Sequence, residues 1–207
     1  MGAHGIDLQV GMLQDLAAEK QVILEATRET GVTLAVVAIP KDLRLDCDED
    51  TEAETRRTEN WLHFAAEVSA PMARVFGDYG REGEEESSYQ AKLRRAHQYL
   101  ARVVPIAQKL GVVLVLENRG RLPWTAQYHK QVIQKFSSPY LRACVDIGNY
   151  RDCGQTPESA TAVMAPLAAY VQFKDYWVQP DFSVPKGWRT KACALGARFT
   201  CRTVTVT

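Results

Sequence analysis

The feature that most constrains this chain is the run from Gly111 to Gly120, in which Val112, Val113, Leu114, Val115 and Leu116 are followed at once by Glu117, Asn118 and Arg119. Unbroken Val and Leu, without alternation, read as a strand buried on both faces, the situation of a parallel sheet sandwiched by helices. Such a strand delivers Glu117 to its C-terminal end, where ligands and reacting groups gather in parallel α/β folds. A single glutamate there could equally cap the strand or pair in a loop. The design recurs, however. The stretch Leu141 to Val145 ends at Asp146 with Ile147, Gly148 and Asn149, and Tyr170, Val171, Gln172 and Phe173 lead to Lys174 and Asp175.

The rest of the chain supplies alternating partners. Gly5–Gln9 reads as a short strand that begins close to Met1. Leu16, Val22, Ile23 and Ala26 fall at helical spacing in a helix over Leu16–Thr30, which Gly31 stops. Val32–Ile39 is a second buried strand closed by Pro40, and the acidic Asp42–Glu54 reads as a solvated loop turning helical near Thr51. A helix over Glu52–Val68 presents Trp61, Leu62, Ala65 and Val68, with Trp61 assigned to the core. Met72–Gly77 is a third strand, left by the polar loop Asp78–Ser88. The longest helix, Ser88–Leu110, carries Leu93, Ala96, Leu100, Val103, Val104 and Ala107, and Pro105 is predicted to kink it. Helices over Thr125–Phe136 and Pro157–Ala169 complete the set, the second with proline in its first turn. Six strands thus alternate with five helices, the pattern of a parallel α/β architecture, open or closed.

Charge narrows the function classes. The 25 Lys and Arg balance the 25 Asp and Glu, so nothing in the net charge favours nucleic acid or an anionic membrane as partner. No apolar run reaches the roughly 20 residues that cross a bilayer, and no basic-then-apolar leader opens the chain, so a cytoplasmic location is expected. The five cysteines, Cys47, Cys144, Cys153, Cys193 and Cys201, show no C-x-x-C spacing and read as reduced thiols. Neither a G-x-G-x-x-G fingerprint nor a phosphate-binding P-loop is present, which removes the nucleotide-binding doubly wound folds. In a barrel, Glu117, Asp146 and Gln172 would converge from three consecutive strand ends.

Leu116–Gly120, then Val145–Asn149, then Val171–Asp175, in this order and spacing, resemble the xylose isomerase-like barrels of the sugar phosphate isomerase/epimerase superfamily. The similarity runs from the strand near Gly5 to about Trp177. It implies a (β/α)8 TIM-barrel type fold and a divalent metal, Mn, Mg, Co or Zn, held at the barrel mouth by a Glu, an Asp, a His and a second Glu. Residue by residue, the first Glu matches Glu117 and the Asp matches Asp146. The His position holds Gln172, and the last Glu has no counterpart. Glutamine binds a hard cation through its amide oxygen but cannot shuttle protons, so weak metal binding is implied.

The activity implied is isomerisation or epimerisation of a small sugar, sugar phosphate or polyol by proton abstraction next to a carbonyl, with Glu117 as acid/base and Asp146 as a pure ligand. Lys174, two residues past Gln172, would hold a substrate oxygen or phosphate, or else pair with a nearby acid. Asn118 and Asn149 could serve sugar hydroxyls or cap the following segment. Trp124 could wall the sugar pocket. Arg74 could reach an anionic ligand, with a structural ion pair as its alternative. His63, His97 and His129 fall in helices and His4 near the terminus, and none is read as a metal ligand.

The chain also departs from its pattern. A closed barrel takes about 250 residues, and 207 are present. The six strands correspond to the second to seventh of eight, so the barrel is expected to be incomplete, without its first and eighth strands. Residues 1–196 form one partial domain, and residues 197–207, ending Thr203-Val204-Thr205-Val206-Thr207, an atypical tail of the kind a frameshift near Gly196 would produce. Open edges invite pairing: either the tail supplies a substitute strand through Thr203 to Val206, or the barrel gapes, or a second copy of the chain closes it. Two other functions follow: an inactive truncated barrel, favoured by Gln172 and the missing Glu, and an abasic-site endonuclease, disfavoured by the neutral charge.

Overall fold

The computed structural model describes residues 4–39, 43, 45–77, 85–119, 125–173, 176–180 and 188–192. Local chemistry sets the element ends. In α1 (Leu16–Thr30) the Asp15 carboxylate accepts from the amides of Ala17 and Ala18 at 3.1 Å, and Gly31 ends the helix at φ +69°, a conformation a side chain would disfavour. Thr125 and Thr156 cap α4 (Ala126–Phe136) and α5 (Pro157–Met164) in the same way, and Gly111 closes α3 (Glu86–Leu110). Two further expectations shift. The acidic run enters helix earlier, because α2 (Asp48–Glu67) opens with Asp48, Glu49 and Asp50 beside its positive end, with Cys47 Sγ accepting from Asp50 N at 3.4 Å. The last helix stops earlier, at Met164, since Pro166 has no N–H for an α-helical ladder. A 3-10 turn, Ala165–Leu167, follows instead.

Six strands, β1 (Gly5–Gln9), β2 (Thr33–Ala38), β3 (Met72–Val75), β4 (Val113–Glu117), β5 (Leu141–Asp146) and β6 (Ala168–Gln172), pair in chain order and all in parallel. The sheet curls into an incomplete TIM-barrel-like wall. The Tyr170 hydroxyl on edge strand β6 donates to Asp7 Oδ2 on the opposite edge strand β1 at 3.1 Å, which a flat six-stranded sheet would forbid. A hairpin of β7 (Tyr176–Pro180) and β8 (Trp188–Ala192), antiparallel and separate from the main sheet, was not expected from the sequence. The tail, residues 197–207, lies outside the described residues.

The strands are apolar throughout because both faces are covered. Outside, α2 and α3 pack Leu62, Phe64, Ala65, Tyr99, Val103, Val104 and Ala107 against Val37, Ala73, Leu114 and Leu116. Trp61 is half-buried and meets Phe64 edge-on at 5.6 Å. Inside the curl, Val36, Met72, Val115, Cys144 and Tyr170 form a second apolar layer. Above that layer, towards the C-terminal strand ends, the inward positions turn polar. Among the described residues Cys47, Cys144 and Cys153 form no disulfide, and no helix is long and apolar enough to cross a membrane.

Candidate active site

Register decides which side chains share the interior. Arg74 lies opposite Val115, Glu117 opposite Cys144, and Asp146 opposite Gln172. Parallel partners project to the same face and residues two apart repeat it, so Arg74, Glu117, Asp146 and Gln172 all belong to the inner face, on β3 to β6. Asp7 on β1 joins them, being opposite Val36, which is itself opposite Met72.

The interior is organised by charge. Arg74, 3% exposed, reaches from β3 to Glu117 Oε2 at 2.7 Å and to Asp7 Oδ2 at 2.9 Å, so one guanidinium joins carboxylates from β1 and β4. Its plane lies over Phe76, 4.9 Å from the ring centre, and Arg119 lies over the same ring at 4.9 Å. The second oxygen of Glu117 accepts a long 3.3 Å bond from Asn149 Nδ2. Burial raises the Glu117 pKa, with Arg74 opposing the shift and the neighbouring Asp146 adding to it. Asp7 is raised for the same first reason, again opposed by Arg74. For Arg74, burial alone would lower the pKa, but Glu117 and Asp7 more than offset it, so the guanidinium stays charged.

Two neighbours fix the backbone under this cluster. Asn118 Nδ2 donates to the Asp146 carbonyl at 2.9 Å and its Oδ1 accepts from Asp146 N at 2.8 Å, so its amide extends the β4–β5 ladder past the strand ends. Asp146 Oδ1 accepts from Gly148 N at 3.0 Å, which holds the turn after β5. His129 lies in α4, as expected, and is fully buried. Its Nε2 lies 3.0 Å from the Leu116 carbonyl and its Nδ1 3.0 Å from the Tyr150 hydroxyl. A carbonyl only accepts, so Nε2 carries the proton and Nδ1 accepts from Tyr150. Burial drops the His129 pKa to about 3, so it stays neutral and clamps the residue that precedes Glu117.

Of the residues singled out in the sequence, Glu117, Asp146, Asn118, Asn149 and Arg74 thus meet at one end of the curl. Arg74 is engaged by two carboxylates, and Asn118 clamps two strands without capping a helix. Gln172 shares their face, while Lys174 and Trp124 lie outside the described residues. Asp7, Tyr170 and the His129–Tyr150 pair escaped the sequence reading. The signal for Asp7 was present as an acid inside a strand-like alternation. The side chains that could face a cation, Glu117, Asp146 and Gln172, would offer it oxygen donors alone, two carboxylates and an amide. That suits a hard ion that keeps several waters, magnesium or manganese, better than zinc. Among the described residues no three His, Cys, Asp or Glu side chains gather as a metal site.

Comparison with known proteins agrees with this architecture. The family model for the xylose isomerase-like TIM barrel matches residues 1–192. No curated protein matches the sequence. Among solved structures, a 3-keto-D-glucoside 4-epimerase from E. coli is similar with a TM-score of 0.72 at 17% identity, over 84% of this chain and 70% of that one. A D-psicose 3-epimerase crystallised in the presence of D-fructose gives 0.69 at 14% identity, over 82% and 62%. A xylose isomerase-like TIM barrel protein from Mycobacterium smegmatis in complex with magnesium gives 0.64 at 14%, over 92% and 68%. At these identities the likeness establishes the fold, and the chain spans between 62% and 70% of the three proteins' lengths.

Proposed function

The chain belongs to the xylose isomerase-like TIM barrel family, and from that premise we propose that it isomerises or epimerises a small sugar or polyol-type substrate, with Glu117 moving the proton next to the substrate carbonyl. The observation that carries this reading is the state of Glu117. It is a carboxyl at the C-terminal end of an inner strand, 2% exposed, beside a second carboxyl, with its pKa pushed up by burial. A general base or acid works best when its pKa approaches the operating pH, and desolvation moves a glutamate in that direction.

The two oxygens of Glu117 have different tasks. Oε2 is held by Arg74 at 2.7 Å, whereas among the described residues Oε1 meets the 3.3 Å contact from Asn149, and Oε1 is the oxygen that exchanges a proton with substrate. Asn149 can turn its amide from Glu117 to a substrate hydroxyl without leaving a charge unpaired. Asp146, whose Oδ1 accepts from Gly148 N, would contribute its carboxylate to a cation, with Glu117 and Gln172 as co-ligands. Such an ion would supply a Lewis acid for the carbonyl and hydroxyl oxygens of the sugar. Lys174 and Trp124 remain proposed substrate contacts. The chain is proposed to act in the cytoplasm, with a second copy of itself as the one macromolecular partner.

The test is deuterium uptake. With ketoses and aldoses in D2O plus Mg²⁺ or Mn²⁺, the wild-type protein should exchange the hydrogen on the carbon next to the carbonyl, followed by NMR. Glu117→Gln should slow this by about 10²- to 10⁴-fold, the usual weight of one acid/base group. A second reading, a barrel that retains the fold without turnover, is favoured by the engagement of Glu117 with Arg74. Under it no sugar exchanges deuterium, and Glu117→Gln changes nothing.

A further inference from the structure

The Arg74 guanidinium is placed where a cation bound to Glu117 would have to displace it. It holds Glu117 Oε2 through one terminal nitrogen and Asp7 Oδ2 through the other, inside the curl and away from solvent. Two carboxylates, Asp7 and Glu117, therefore share one buried guanidinium, and Asp146 lies on the same inner face one strand beyond Glu117. The grip on Glu117 is also releasable. Arg74 Nε has no hydrogen-bond partner among the described residues, so the side chain is not locked by a full set of bonds. If Glu117 is taken away, Asp7 and the face of Phe76 still hold the guanidinium. Asp7 is in turn positioned by the Tyr170 hydroxyl from β6.

From this arrangement we propose that Arg74 is an internal counter-cation that competes with a divalent ion for Glu117. Asp7 is the carboxylate that receives the guanidinium when the ion binds. The inference rests on the reading of Glu117 and Asp146 as cation ligands. It makes Arg74 a positioning residue: with the ion absent it ties down and neutralises Glu117, and with the ion present it turns wholly to Asp7. The weak affinity implied by the incomplete donor set is thereby weakened again, by an opposing unit charge at hydrogen-bonding distance from a ligand oxygen.

Mn²⁺ titration by calorimetry on four proteins tests the idea, with thermal melting to confirm that each is folded. The paired change Asp7→Asn with Arg74→Met removes one charge of each sign and frees Glu117. It should tighten Mn²⁺ by about tenfold or more, the scale of one removed unit charge near a partly buried site. Asp7→Asn alone leaves Arg74 to Glu117 and should weaken Mn²⁺ binding. If the paired variant binds no more tightly than wild type while Glu117→Gln loses the ion, the Arg74 inference falls and the cation site stands. If Glu117→Gln binds Mn²⁺ as wild type does, the site reading itself falls and the inference with it. Should the paired variant fail to fold, the wild-type protein decides. The Nε–H resonance of Arg74 in 15N spectra should move on saturation with Mg²⁺, and a resonance that stays in place under saturating Mg²⁺ overturns the proposal.

Discussion

Replacing His129 with glutamine should flatten the acid limb of the stability curve. His129 is wholly buried, donates to the Leu116 carbonyl and accepts from Tyr150, and its pKa falls from 6.5 to about 3. The sign follows from linkage: the unfolded chain binds a proton near its ordinary pKa and the folded chain does not, so the contribution is complete above about pH 6.5 and lost as pH falls towards about 3. At about 1.4 kcal/mol per unit, wild type should lose about 2 kcal/mol by about pH 5 and about 4 kcal/mol by about pH 3 from this group alone. Asp7 and Glu117, whose pKa values are raised by burial, act in the opposite sense, stabilising the fold as pH falls. The difference between wild type and variant removes them. Urea unfolding at pH 7.5 and 5 should show His129→Gln about 1–3 kcal/mol less stable at the higher pH, the cost of poorly satisfied buried partners. The gap should close by about 2 kcal/mol at the lower pH. Parallel pH profiles for the two proteins would refute the neutral, clamped imidazole.

Two further outcomes follow from the strand ends. Gln172 lies on the same face as Asp146, and under the proposed cation site Gln172→His should add a ligand nitrogen and tighten Mn²⁺ by about tenfold or more, read by calorimetry at pH 7.5. Asn118→Ala strips the partners from both backbone groups of Asp146 and should cost about 2 kcal/mol or more in urea unfolding. It should also depress deuterium exchange, because Asp146 loses its anchor beside Glu117.

The sequence alone determined the wall of this molecule. Runs such as Val112–Leu116, apolar without alternation, have no stable place except a strand covered on both sides, and helices of matching spacing between them force parallel crossovers. The order of the strand ends marked Glu117, Asp146 and Gln172 as residues that would converge in a barrel, and the register of β4 to β6 put them on one face. The residue types at these strand ends could be read as well, since Gln172 is a matter of residue identity.

Tertiary structure decided what those side chains meet. The join from Asp7 through Arg74 to Glu117 connects residues more than sixty positions apart on β1 and β3 and a further forty on β4, and no local pattern encodes such a pairing. It exists because the sheet curls until β1 and β6 face each other across the interior, where a lone arginine must find carboxylates or remain an uncompensated buried charge. His129 shows the same division. Its helical spacing was legible, but whether that helix turned it to solvent or against the Leu116 carbonyl depended on how α4 packs over the strand ends, and that burial sets its charge.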